Sequence, residues 1–168
     1  MEMAYLISEI NQMSQTAFIE VFGGVFEHTP EIALKAWTKR PYVDVDDLHQ
    51  HMVGVVNDMS AEEQLRLIRA HPELSSKVKM AEASINEQAG VGLDRVSYEE
   101  YKRFEFLNQS YQQKFGFPFI VAVKNHTKTS ILKLFESRLQ NTLDTEKQQA
   151  LQEIAEIGKF RLMNLVGS

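Results

Sequence analysis

Apolar residues recur at spacings of three and four along almost the whole chain, and short capping sequences mark where the runs begin. This pattern constrains the fold more than any other feature. A period near 3.6 builds amphipathic helices, whereas a strand needs a period of two. Ser60-Ala-Glu-Glu63 and Ser97-Tyr-Glu-Glu100 have capping-box spacing: the serine accepts a bond from a backbone N–H one turn on, and the glutamate returns it. Thr29-Pro30 predicts a threonine cap with proline at the first helical position, leading into Ala33, Ala36 and Trp37. Asp44 or Asp46 caps the next run, with Leu48, Met52, Val55 and Val56 on one face. Leu65 and Ile68 lead to Ala70, and Pro72 ends that helix just past His71. After Ser97, Tyr101, Phe104, Leu107, Asn108 and Tyr111 line a long helix that Gly116 stops. Thr129 opens a helix through Ile131, Leu132, Phe135 and Leu139, and Thr145 opens the last, through Leu151, Ile154, Ala155, Leu162 and Leu165. Pro118 to Val123 alone reads as extended, and it is too short and solitary to make a sheet. The expectation is an all-α chain, a single compact domain over residues 1–168 with roughly eight to ten helices and short connections.

Composition narrows the class of function. A chain of 168 residues can bury one continuous core without disulfides or a structural metal. No run approaches the roughly 18 apolar residues of a membrane span, and the polar, acidic start MEMAYLISEINQMSQ is unlike a secretory signal. The expected location is therefore cytoplasmic, with no membrane partner. The net charge is −5 with both signs interspersed, which argues against the basic face that a nucleic-acid partner requires. Zero cysteines exclude thiol catalysis, iron–sulfur clusters and cysteine zinc sites.

Three short constellations could carry chemistry. His71-Pro72 sits where a helix stops, so the ring can project from a fixed backbone, and a helix C-terminus favours imidazolium. A C-terminal capping histidine is the equally weighted alternative. His71-Pro-Glu73 also matches the start of the zinc deaminase signature, but the cysteine half is impossible here. Ser84-Ile-Asn-Glu87-Gln88 has capping-box spacing; alternatively it presents Ser84, Glu87 and Gln88 together, with an amide able to donate and accept toward a ligand. Phe115-Gly-Phe-Pro-Phe-Ile120 is either an aromatic core plug or a pocket wall, with ring faces and the backbone groups of Phe119 to Val123 reading a planar ligand. His49 and His51 point to different faces of a helix and read as solvated, and His28 and His126 lie in polar loops.

In this order, the motifs resemble the 2-oxo-4-hydroxy-4-carboxy-5-ureidoimidazoline (OHCU) decarboxylase family of urate degradation. The resemblance runs through Val25-Phe-Glu-His-Thr-Pro30, Arg40-Pro41, His71-Pro-Glu-Leu74, Ser84-x-x-Glu87-Gln88 and Gly92-Leu-Asp94. It continues through Leu107-Asn-x-x-Tyr111, Phe115-Gly-Phe-Pro-Phe-Ile120, Val123-Lys124 and Arg161-Leu162. Two departures stand out: the segment between His71 and Ser84 is short, and Glu31 stands where many members carry tryptophan. The short segment is similar to that of the version fused ahead of a urate oxidase domain in some bacilli, so a fused or associated urate oxidase domain is an implied partner.

The resemblance implies an all-helical, commonly dimeric enzyme that turns a small ureide into (S)-allantoin with no cofactor and no metal. Carried over by position, it implies His71 as proton donor and Glu87 as its orienting partner. It also implies substrate contacts from Pro72, from Ser84, Ile85, Asn86, Glu87 and Gln88, and from Phe119, Ile120, Val121, Ala122 and Val123. Arg161 matches an arginine suited to hold the substrate carboxylate bidentately. The rival from another class is a non-catalytic helical ligand-binding or interaction module, in which the histidine and the carboxylate are caps and the aromatic run is a plug.

Overall fold

Eight α-helices account for most of the described residues, in keeping with the all-α expectation. The computed structural model describes residues 4–72, 74 and 96–167; the Ser84–Gln88 motif lies outside them. The helices are α1 Ile7–Asn11, α2 Gln15–Phe22, α3 Glu31–Trp37, α4 Val45–Asn57, α5 Ala61–Ala70, α6 Tyr98–Phe115, α7 Lys128–Arg138 and α8 Leu143–Leu165. Residues 118–122 take no regular structure and run into a single 3-10 turn, Val123–Asn125. An isolated parallel bridge pairs Tyr5 with Val166.

The helix starts follow local chemistry, with small shifts. Asp44 caps α4 by accepting from the Asp47 N–H at 2.8 Å. Both predicted capping boxes form: Ser60 with Glu63 (3.0 and 3.1 Å) and Ser97 with Glu100 (2.8 and 3.1 Å). The bonds from Ser60 and Ser97 hold the Glu63 and Glu100 carboxyls below the ordinary carboxylate range. Gly116 ends α6 in the left-handed conformation (φ 77°), which glycine adopts at no steric cost. Elsewhere a nearby hydroxyl takes the cap: Thr127 rather than Thr129 opens α7, and Thr142 rather than Thr145 accepts the first-turn bond of α8. Pro30 occupies the cap position of α3 itself, because the Thr29 hydroxyl is turned back onto the Glu27 carbonyl at 2.7 Å.

Contacts divide the chain into two compact units, Met1–Ala70 with Ala155–Ser168, and His71–Ile154. In the first, α2 packs on α3 and α3 on α4 around Phe18, Phe22, Ile32, Ala36, Leu48 and Met52. The turn after α1 is tied to α3 by polar bonds to main-chain oxygens. The Trp37 indole donates to the Met13 carbonyl (3.0 Å), and Arg40 donates to the Asn11 and Trp37 carbonyls while its guanidinium lies 4.1 Å over the Trp37 ring. The sequence pattern alone left His49 and His51 solvated. Each is instead half-buried and engaged, His49 with the Ala155 carbonyl (2.8 Å) and His51 with Asp47 (3.4 Å).

Tyr42 is buried here, and its hydroxyl donates to the Ala36 carbonyl. Burial, aided by Asp47 and opposed by Arg40, pushes the phenol up to about 12. The unfolded chain titrates near the ordinary tyrosine value of about 10. Because the folded pKa is the higher one, the stabilisation is fully present below pH ~10 and is lost as pH rises toward about 12. Tyr42→Phe should therefore remove on the order of 2–3 kcal/mol of the stability that wild type loses across that window. Denaturant unfolding at a series of alkaline pH values measures it; an unchanged alkaline slope would show that the hydroxyl is solvated.

The second unit is built on aromatic rings. Tyr111 of α6 meets Phe115, Phe117, Phe119 and Phe135 with ring centroids 4.6–5.9 Å apart, and Phe119 stacks on Phe135 at 3.8 Å. Such pairs add about 0.5–1.5 kcal/mol each beyond the burial of their area. The turn at Gly116 and Pro118 is thereby fixed from the side-chain side.

Candidate functional site

His71 is the first residue past α5, and the proline after it prevents continuation of the helix. Its side chain is buried, 6% exposed, while Pro72 is exposed and Leu74 is buried. A buried imidazole at a fixed helix end has the properties expected of a positioned proton carrier. Ser84, Ile85, Asn86, Glu87 and Gln88, and with them the expected His71–Glu87 partnership, lie outside the described residues.

The segment Phe119–Val123 belongs to the same unit as His71. Phe119, Ile120, Val121 and Ala122 are all buried, and Val123 is half-buried. The aromatic side chains serve the core: Phe117 and Phe119 are enclosed, and Phe119 is covered by the Phe135 ring and by the Arg138 guanidinium at 4.4 Å. The plug reading therefore describes the rings, and what remains for a ligand is the backbone of Phe119–Val123. With Phe117 0% and Phe119 2% exposed, neither ring has a free face to offer.

That backbone is held by a buried ionic network whose charged members, Arg138 and Glu146, the sequence did not single out. Arg138, at the end of α7, donates to the Ile120 carbonyl at 2.7 Å and to Glu146 Oε1 of α8 at 2.8 Å. Arg138 is 2% exposed and Glu146 0%. The Tyr111 hydroxyl donates to the same Glu146 oxygen at 2.5 Å, and Asn141 donates to the other at 2.8 Å. Burial, and next the bond to Glu146, push the Tyr111 phenol far above its ordinary value, so it stays a donor at any working pH. Glu153, one helical stretch further along α8, accepts from the Ala122 N–H at 2.9 Å. No sequence signal connects positions 120, 138 and 146, because helix periodicity reports only which residues face inward.

Arg161 belongs to the other unit. Its guanidinium pairs with the Glu27 carboxylate and donates to the Val25 carbonyl at 3.1 Å. Both partners fall in the Val25–Pro30 motif, so that motif gains a physical role: it seats Arg161. Among the described residues no cluster of three histidine, aspartate or glutamate side chains could hold a metal ion. A groove of about 410 Å³ in the first unit, lined by Leu34, Lys35, Lys39, Val55 and Asp58, contains none of the expected site residues. Its lysines are surface residues.

The OHCU decarboxylase family description matches residues 11–163. The chain belongs to the OHCU decarboxylase family. It is 38% identical over 159 residues to a 2-oxo-4-hydroxy-4-carboxy-5-ureidoimidazoline decarboxylase of Halalkalicoccus jeotgali, covering 95% of this chain and 90% of that protein. It is 40% identical over 162 residues to the uric acid degradation bifunctional protein PucL of Bacillus subtilis, covering 96% of this chain but 33% of that longer protein. Among solved structures, an (S)-allantoin synthase superposes with a TM-score of 0.77 at 25% identity, over 96% of this chain and 54% of that one. An OHCU decarboxylase crystallised in the presence of (S)-allantoin superposes with a TM-score of 0.65 at 19% identity, over 80% of this chain and 89% of that one; at that identity the likeness is one of fold.

Proposed function

We propose that this OHCU decarboxylase family member converts 2-oxo-4-hydroxy-4-carboxy-5-ureidoimidazoline to (S)-allantoin. The observation that carries the reading is the near full-length match to the Halalkalicoccus jeotgali decarboxylase, covering most of both chains. The carbon that bears the carboxylate lies beside a ring C=N bond. When the C–CO2 bond breaks, its electron pair flows into that imine and CO2 leaves. The hydroxyl proton passes to the ring nitrogen, and the resulting enolate takes up one proton at the carbon that bears the ureido group, leaving a ring C=O. The substrate thus supplies its own electron sink, so the chemistry does not require an organic cofactor or a metal ion.

The protein's share is then orientation, charge stabilisation and delivery of the proton to one face. On this reading His71 delivers the proton and Glu87 orients its ring. Pro72, Ser84–Gln88 and the backbone of Phe119–Val123 hold the ureide, and Arg161 receives the carboxylate. We propose a homodimer as the working form. No helix of the described residues is long and apolar enough to cross a membrane.

The decisive experiment generates the unstable substrate in situ from urate and follows circular dichroism of the product. Accumulation of a single allantoin enantiomer supports the reading. Racemic product formed at the uncatalysed rate would leave the non-catalytic helical module as the better description.

Arg161→Lys tests the carboxylate contact. The charge is kept, but lysine cannot bridge the Val25 carbonyl, Glu27 and a substrate carboxylate with a planar set of N–H groups. Hydrogen bonds to charged groups contribute about 1.5–3 kcal/mol, so kcat/KM should fall about 10- to 100-fold, mainly through KM. Wild-type kinetics in the lysine variant would make Arg161 a structural ligand of the Val25–Glu27 turn.

A further inference from the structure

We propose that Arg138 and Glu153 are positioning residues for the reaction, acting through the two peptide groups that flank Val121. The inference rests on the decarboxylase reading above. The Ile120 carbonyl and the Val121 N–H belong to one planar peptide group, and the Val121 carbonyl and the Ala122 N–H belong to the next. Arg138 holds the first by its carbonyl at 2.7 Å, and Glu153 holds the second by its N–H at 2.9 Å. In a trans peptide the C=O and N–H point in opposite directions, so each clamp dictates where the other end of its plane points. Those other ends are the N–H and the C=O of Val121.

Val121 is 4% exposed, and neither its N–H nor its C=O bonds to any described residue. Buried backbone groups are paired in more than about 90% of cases, so a buried donor and acceptor left open on one residue marks a place where a ligand completes them. A residue offering an N–H beside a C=O matches the adjacent C=O and N–H of a ureide. The neighbouring backbone oxygens are already engaged: those of Ala122 and Val123 accept from Asn125 (3.0 Å) and His126 (3.1 Å).

The clamps are themselves fixed. Arg138 is held by Glu146 and lies against the Phe119 ring; Glu153 accepts a second bond from Gln149 at 3.0 Å. Charge-assisted bonds are about twice as strong as neutral ones, which suits a clamp whose task is to stop a peptide plane from rotating. No charged side chain of this network needs to touch the substrate.

The test uses the half-buried Glu153, because replacing buried Arg138 endangers the fold. Glu153→Leu removes the acceptor for the Ala122 N–H, whereas Glu153→Gln keeps a carbonyl oxygen there. The leucine variant should raise KM, and weaken (S)-allantoin binding measured by calorimetry, by about tenfold each, with kcat changed less than about threefold. The glutamine variant should stay within about threefold of wild type on every measure. If the leucine variant fails to fold, judged by helical dichroism, Glu153→Ala takes its place. Wild-type KM and allantoin affinity in the leucine or alanine variant would overturn the clamp, as would equal losses in the leucine and glutamine variants. A wild-type protein that neither turns over substrate nor binds allantoin would sink the decarboxylase reading and the clamp with it. An active wild type with an unaffected variant removes the clamp alone.

Discussion

Replacing His71 with asparagine is expected to lower the rate of (S)-allantoin formation by about 10²–10⁴-fold, with helical dichroism unchanged. Asparagine can still hydrogen-bond, but it cannot give up and regain a proton near neutral pH. His71 stands at a proline-stopped helix end, buried to 6% exposure, where a ring can be held in one orientation. Orientation decides this reaction, because the carbanion-like centre can be protonated on either face. The variant should therefore lose enantiomeric bias as well as rate, since the residual product comes from unguided protonation. Chiral analysis of allantoin formed in situ measures both. A variant that keeps its bias and most of its rate would make His71 a helix-end residue and move the proton donor elsewhere.

Arg138→Met should lower unfolding free energy by about 3–5 kcal/mol, on the order of 10 °C in melting temperature for a chain of this size. The cause is not the loss of one attraction. Removing the guanidinium leaves the Glu146 carboxylate, 0% exposed, without its cation, and leaves the Ile120 carbonyl without its donor. Methionine keeps much of the volume, so a cavity contributes little. Arg138→Met combined with Glu146→Leu should recover part of the loss, because no charge is then stranded. Recovery stays incomplete, since the Tyr111 hydroxyl and the Asn141 amide lose their shared acceptor. Equilibrium denaturation of the two variants and wild type tests the order: single variant least stable, double intermediate, wild type most stable. A single variant within 1 kcal/mol of wild type would show that water reaches the pair and that its burial is not what holds it.

The helices and their order were legible in the sequence because their causes are local. A serine and a glutamate three residues apart lie within reach of each other at a helix start whatever packs around them, and the Ser60–Glu63 and Ser97–Glu100 boxes are present as read. Gly116 stopped α6 for an equally local reason, the conformational freedom of a residue without Cβ. The motif order likewise sufficed to identify the family, and the family description matches residues 11–163. Hydroxyl-rich stretches were ambiguous by a turn, as at Thr127 and Thr142, because neighbouring threonines offer nearly the same cap and packing chooses between them.

What only the tertiary structure decided are the partners of charged and aromatic groups distant in sequence. Arg138 with Glu146 and Ile120, Glu153 with Ala122, and Arg161 with Glu27 each depend on where helices pack. Periodicity could mark Arg138 only as a charge falling near an apolar face. It could not supply the carboxylate that makes its burial tolerable. The aromatic run after α6 shows the same division. Its composition allowed both a plug and a pocket wall, and the packing of Tyr111, Phe135 and Arg138 around Phe119 committed the rings to the core, while the N–H and C=O of Val121 bond to no described residue. Local sequence sets what each segment can be at low cost in free energy; which side chain neutralises or covers which is a property of the packed chain, where desolvation makes an unpartnered charge too costly to keep.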